Sequence, residues 1–304
     1  MDLSALLKGI EENARRSGNP LGLKGVIGRW AKGLDLPGKG RYVIYSGGLY
    51  DLARYIKLSS RLLGVAESLK VGKAALRAGR LGSSLLKAAA RGRGLEAAAR
   101  GVVRALQKCG VDLAYAGDSY CGVLYYDLGL DELFEEQAKA TARMLASSGA
   151  SVVVALDPHT AYALRELYPK FIEWSMEVKH YVELLYELGY SPGVKAGGSV
   201  VLHDACYMAR FLKLVEEPRW LLESLGYEVL EPECSRELTG CCGGPIEAVL
   251  PGLSREVAAE RAVELALSDS VVVECPICWS ALSEQAGKLK LKVAELGELL
   301  EAGA

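Results

Sequence analysis

Apolar positions along the chain follow two rhythms that alternate from end to end. Residues 2–17 set apolar side chains among charges at helical spacing and close at Gly18-Asn19-Pro20, which predicts an amphipathic helix. Residues 22–34 predict a second short helix ending near Pro37-Gly38. The run 41–46 is rich in β-branched and aromatic residues and predicts a strand, followed by Gly47-Gly48 and helical spacing over 49–63. Helical spacing continues through 71–108 in an Ala-, Leu-, Gly- and Arg-rich composition. A short strand around 112–116, a loop with Tyr120-Cys121-Gly122 and a helix over 131–148 come next. A β-branched run at 151–156 then ends in Asp157-Pro158-His159-Thr160, with helices expected around 159–168 and 176–188. The pattern restarts after the Gly- and Pro-containing stretch 191–198. Strands at 199–203, 228–230 and 270–274 alternate there with helices at 217–225 and 253–267.

Strands alternating with helices of this length predict an α/β fold with mostly parallel sheets flanked by helices. The two halves repeat one plan. Tyr120-Cys121-Gly122 corresponds to Cys241-Cys242-Gly243, and Asp157-Pro158-His159-Thr160 corresponds to Cys275-Pro276-Ile277-Cys278, with Gly48 at the place of Cys206. The expected organisation is an N-terminal helical segment over 1–40, a degenerate copy over 41–192 carrying a basic helical insert, and a complete copy over 193–304.

Five of the eight cysteines carry the candidate chemistry: Cys206, Cys241, Cys242, Cys275 and Cys278. Tetrahedral zinc takes four ligands, and five thiols leave one over from any set of disulfides. Soft thiolates in this number point to iron and sulfur, with a four-thiolate zinc site and one spare cysteine as the alternative. Cys206 and Cys275 stand just past the carboxyl ends of predicted buried strands, where α/β sheets collect ligands. Cys241 and Cys242 are adjacent and would face opposite ways on a strand, so Gly243-Gly244 must turn the chain.

In order and in its flanking words, His203-Asp204-Ala205-Cys206 and Cys241-Cys242-Gly243-Gly244-Pro245, this pattern resembles the cysteine-rich CCG domain. That domain occurs, usually twice, in the catalytic subunit of heterodisulfide reductase and in iron–sulfur subunits of glycolate and lactate oxidases. The resemblance covers roughly residues 40–304 and extends to Gly18-Asn19-Pro20-Leu21-Gly22 with Trp30. It implies two tandem CCG-like domains, and a [4Fe-4S] cluster of the noncubane kind held by Cys206, Cys241, Cys242, Cys275 and Cys278. The first copy keeps only Cys121, which implies that a second such cluster is missing. No ferredoxin-type Cys-x-x-Cys-x-x-Cys run is present. The expected electron donor or acceptor is therefore a separate ferredoxin-type or flavoprotein subunit, and the expected substrate a thiol or disulfide.

The resulting expectation is an iron–sulfur subunit of a multi-subunit oxidoreductase of the heterodisulfide reductase or 2-hydroxy-acid oxidase type. The competing one is a non-catalytic assembly or anchoring subunit with a structural iron–sulfur or zinc site. A thioredoxin-like use of Cys275 and Cys278 alone leaves the other three cysteines unexplained. His203 is the candidate catalytic proton donor or a hydrogen-bond donor to cluster sulfur, with a strand-end histidine satisfied by backbone as the alternative. Cys121 is expected as a packed remnant or a partner of Asp157 and His159 in a second metal site, Cys234 as a non-ligand, Cys109 as core, and His180 as a surface residue on a helix.

A net charge of −2 on 304 residues gives no general pull toward nucleic acid. The stretch 70–108 carries ten basic residues against Glu96 alone, a solvated face or a dock for an acidic partner or anionic lipid. No apolar run reaches the roughly 20 residues that span a bilayer, and the N-terminus lacks a secretory apolar core. These features predict a cytoplasmic protein that reaches the inner membrane face only through a partner.

Overall fold

The computed structural model describes residues 3–68, 94–247 and 249–303. After helix α1 (Leu3–Ser17) the first half runs β1 (Tyr42–Tyr45), α2 (Leu49–Ser68), α3 (Glu96–Lys108), β2 (Leu113–Ala114), α4 (Val123–Asp127), α5 (Asp131–Ala146) and β3 (Val152–Ala155). It continues with α6 (Pro158–Tyr162), a π-helical segment (Ala163–Leu167), α7 (Tyr168–Phe171), β4 (Glu177–His180) and α8 (Tyr181–Glu187). The second half runs β5 (Ser199–His203), a π-helical segment (Tyr207–Leu212), α9 (Glu216–Ser224), β6 (Glu228–Leu230) and α10 (Pro251–Glu264). It closes with β7 (Ser270–Val273), α11 (Pro276–Lys288), β8 (Lys292–Glu295) and α12 (Leu296–Gly303).

Each half builds one four-stranded, all-parallel sheet. The orders are β2-β1-β3-β4 and β6-β5-β7-β8. Val-Ile-Tyr in β1, Val-Val-Val-Ala in β3, Val-Val-Leu in β5 and Val-Val-Val in β7 are buried on both faces, as central parallel strands covered by helices must be. The predicted α/β class with two tandem copies is thus observed. Strands β4 and β8 extend it by one strand per half.

The order reverses at the same place in both sheets. The chain steps from β1 to one side, then returns to the other side with β3, and from β5 it does likewise with β7. Loops leaving the carboxyl ends of two such strands diverge and open a crevice. In the second half the crevice lies between the turns that follow β5 and β7, which carry Cys206 and Cys275.

The halves exchange helices reciprocally. Helix α12 of the second half packs on α3 of the first, and α8 of the first packs on α9 of the second. In the same way α11 lies against α2, and α6 against the π-helical segment after Cys206. Gly297 in α12 lets the backbones meet: a Cβ there would stand 2.6 Å from the carbonyl oxygen of Ala98.

Residues 22–34 correct the expected second helix. They form a chain of turns, because Gly22, Gly25, Gly28 and Gly33 all take positive φ, which no helix accommodates. Buried side chains pin this segment: Trp30 donates from Nε1 to Asp118 Oδ2 at 2.7 Å, and the Gly28 and Arg29 amides donate to Asp51 Oδ2. The 176–188 helix is likewise corrected. Glu177–His180 are strand β4, and the helix starts only at Tyr181. His180 is fully buried at that junction and caps α8, its Nδ1 accepting from the Val182 amide. The helical rhythm of 181–187 masked a β-strand only four residues long. Residues 70–93 of the basic stretch lie outside the described residues. Among those described, no helix is long and apolar enough to cross a membrane.

Asp51 gives the fold a pH signature. Burial first, then the charge of Asp118, raises its pKa to about 7. An unfolded aspartate titrates near 4, so the folded state holds the proton that the unfolded state has lost between these values. This contribution to stability is full below about pH 4 and is lost as pH rises through about 7. The Asp51→Asn protein, whose amide oxygen keeps the two backbone hydrogen bonds, is therefore expected to show a flatter fall in urea midpoint between pH 5 and 8 than the parent. The difference is on the order of 2 kcal/mol; identical slopes would refute it.

Candidate metal centre

Three turns bring the five cysteines together. Cys275 is the N-cap residue of α11 and Pro276 its first helical residue, which places Cys278 one turn on and on the same side. The Cys241-Cys242 loop turns on Gly243, at φ 84° and ψ −12°, matching Gly122 of the first half at 89° and −6°. A Cβ on Gly243 would stand 2.4 Å from the Ser254 carbonyl oxygen, so only glycine fits. The turn aims two amides back at the sulfurs: Gly243 N–H donates to Cys241 Sγ at 3.3 Å and Gly244 N–H to Cys242 Sγ at 3.4 Å. Backbone donors of this kind offset thiolate charge.

The thiols share protons. The Cys242 thiol is held well below its usual range, chiefly by hydrogen bonds from Cys241 and then Cys278. For Cys275 burial works upward, and the hydrogen bond from Cys278 and the charge of His159 outweigh it. Cys241 and Cys278 keep their protons, each pushed up first by its hydrogen bond to Cys242. Burial, then Cys242 and Cys275, raises Cys206 to about 11. Cys242, Cys275 and Cys278 are buried, Cys206 half-buried and Cys241 exposed, so the cluster of thiols opens to solvent on one side.

His203, at the end of β5, is also buried. Its ring and the sulfurs of Cys242 and Cys278 lie within 4.8 Å of one another. Arg261 donates from Nε to His203 Nδ1 at 3.1 Å, which leaves the proton on the other ring nitrogen, and the ring hydrogen-bonds Cys242. Arg261 in turn donates to Thr239 Oγ1, whose hydroxyl donates to the Asp204 carbonyl at 2.9 Å. Asp204 accepts two bonds from Arg219, at 2.7 and 2.9 Å, and a third from the Arg236 amide. Arg219 also binds Glu231 through Nε and Nη2. Glu274, just before Cys275, accepts from the Ala205 amide at 2.8 Å and ties the two cysteine turns together.

The corresponding place in the first half is filled. Cys121 and Thr160 are fully buried and hydrogen-bond each other, and a Cβ on Gly47 would stand 3.0 Å from Cys121 Cβ. Asp157 is the N-cap of α6, its Oδ1 accepting from the His159 and Thr160 amides at 3.0 Å. His159 does not join Cys121. It crosses to the other half, with Nδ1 3.4 Å from Cys275 Sγ and 3.8 Å from Asp157 Oδ1. Cys234 is exposed, its amide donating to Glu264, and Cys109 is half-buried against the core.

Sequence reasoning thus brought the five thiols and His203 to one place. It missed Arg219, Thr239, Arg261 and Glu274, all buried polar or charged residues on the second half's elements. Only the Asp in His203-Asp204-Ala205-Cys206 hinted at them, since a buried acid beside a ligand turn needs a cationic partner.

Residues 200–283 match the family model described as a cysteine-rich domain, CCG. That segment of the second half is thus similar to a CCG domain. The CCG segment and its surroundings resemble several known oxidoreductases. The EtfAB:quinone oxidoreductase of Syntrophomonas wolfei is 28% identical over 200 residues, which cover 60% of this chain and 28% of the relative. The probable iron-sulfur-binding oxidoreductase FadF of Bacillus subtilis is 28% identical over 190 residues, 59% of this chain and 27% of that protein. One polypeptide of the dihydromethanophenazine:CoB–CoM heterodisulfide reductase of Methanosarcina acetivorans is 26% identical over 206 residues, 62% of this chain and 50% of that one. The chain therefore spans between about a quarter and a half of these relatives' length. The likeness to heterodisulfide reductase expected from the cysteine words is borne out.

Proposed function

We propose that this chain is the iron–sulfur subunit of a multi-subunit oxidoreductase, with one cluster held by Cys206, Cys241, Cys242, Cys275 and Cys278 in its CCG domain. The observation that carries this reading is the meeting of five thiols at the crevice between β5 and β7, with two backbone amides and His203 directed at their sulfurs. The donor set fits the group: soft sulfur ligands, two of them with lowered thiol pKa values, and buried polar support. When bound, an iron–sulfur cluster supplies one-electron transfer and, at an open iron, a place for a substrate sulfur.

The residues around it have distinct tasks. Gly243 and Gly244 amides offset thiolate charge, and His203 holds a proton against Cys242 while Arg261 fixes its ring. Being buried behind Cys242, His203 acts on the ligand and not on bulk water. The open side at Cys206 and Cys241 is where an electron partner, a ferredoxin-type or flavoprotein subunit, and a thiol or disulfide substrate would approach. Reduction of such a disulfide consumes two electrons and two protons and yields two thiols.

One observation favours the second reading, a structural zinc site in an assembly subunit: His203, Cys242 and Cys278 are a mixed nitrogen–sulfur trio of the kind zinc accepts. Metal and sulfide analysis of anaerobically purified protein separates the two. About four irons with matching acid-labile sulfide per chain, and a brown colour that bleaches on reduction, support the cluster. Stoichiometric zinc in a colourless protein overturns it.

A further inference from the structure

We propose that the degenerate first half serves the second half's metal centre, and that His159 is a positioning residue donating a hydrogen bond across the two halves to the Cys275 sulfur. The inference rests on the iron–sulfur reading above. His159 is the counterpart of Ile277 in the Cys275-Pro276-Ile277-Cys278 turn, so it stands in a turn that has kept its proline and lost its thiols. Helix α6 carries it against the π-helical segment that follows Cys206.

Its placement is held from three directions. The ring lies 3.4 Å from Cys275 Sγ through Nδ1, inside the range of a nitrogen–sulfur hydrogen bond. It stacks on the Tyr207 ring with centroids 4.1 Å apart, and Tyr207 is anchored in turn by its hydroxyl to Asp127 Oδ1 at 3.3 Å. Its own amide is fixed by Asp157. Asp127, Asp157, His159 and Tyr162 all belong to the first half and all line this contact, Tyr162 packing edge-on against Tyr207. Only 8% of His159 is exposed, so water does not compete for the sulfur. A donor on a ligand sulfur stabilises the more negative, reduced form and raises the reduction potential.

The test compares the full-length, iron-loaded protein with His159→Phe, which keeps a ring on Tyr207 but no donor, and with His159→Gln, which restores an N–H. Redox titration followed by electron paramagnetic resonance and visible absorption is the readout. The Phe protein is expected to titrate at a lower potential with altered resonance lines, and the Gln protein to return toward the parent. A Phe protein that keeps the parent's potential and spectrum overturns the inference. Should Phe fail to hold iron, retention of iron and potential by Gln supports the donor, and equal loss in both overturns it. Absence of iron and sulfide from the parent itself would strike the iron–sulfur reading instead.

Discussion

Cys275→Ala protein, purified anaerobically, is expected to carry roughly tenfold less iron than the parent, or lower still, and to lose its visible absorption. Cys275 is the most enclosed of the five thiols: it is fully buried, it is joined to Cys278 and His159, and it shapes the N-terminus of α11. Removing its sulfur takes away one of the proposed ligands and the group that faces His159 Nδ1. Two substitutions act as controls. Cys234→Ala removes an exposed thiol outside the convergence, and Cys121→Ser keeps the hydrogen bond to Thr160 in the filled first half. Both are expected to retain the parent's iron. Full iron in the Cys275→Ala protein, or equal loss in all three, would remove the basis for the ligand assignment.

Arg219→Ala is expected to be the most damaging single change to stability. Asp204 is almost completely buried, and Arg219 neutralises it through two hydrogen bonds while also holding Glu231. Truncation strands a buried carboxylate, which costs about 3–5 kcal/mol. The damage reaches the cysteine cluster, since Asp204 also anchors the Arg236 amide and Thr239 at the entrance to the Cys241-Cys242 loop. Urea denaturation of the metal-free protein reads the effect directly. Arg236→Ala, which breaks an exposed pairing with Glu216, is the comparison and should cost under about 1 kcal/mol. Similar losses for the two variants would show that the buried network is not what holds this loop.

Much of the architecture was legible in the chain because its signals are local. The unbroken Val runs of β3, β5 and β7 mark strands covered on both faces, and Cys206 and Cys275 fall directly after two of them. The turn at Cys241-Cys242-Gly243 announced itself through a glycine that no other residue could replace. What was hidden depends on contacts between distant segments. His180 lies in a strand of four residues whose sequence, Glu-Val-Lys-His, alternates too briefly to stand out from the helix behind it. Cys121 is the packed remnant that was expected, but the alternative pairing with Asp157 and His159 stayed open in the sequence, which gives the kinship of the His159 turn and not the direction in which it faces. Residues 22–34 carry enough apolar spacing to suggest a helix, and only the positive φ of four glycines removes it.

The exchange of helices between the halves has a consequence for biosynthesis. Helix α3 presents a face whose cover, α12 with its buried Leu296 and Leu300, leaves the ribosome long after α3 itself. The early lobe must wait with that apolar strip bare, a period in which chaperones or stray molecules can claim it. The last of the five clustered cysteines, Cys278, is likewise made only shortly before α12 can seal the strip.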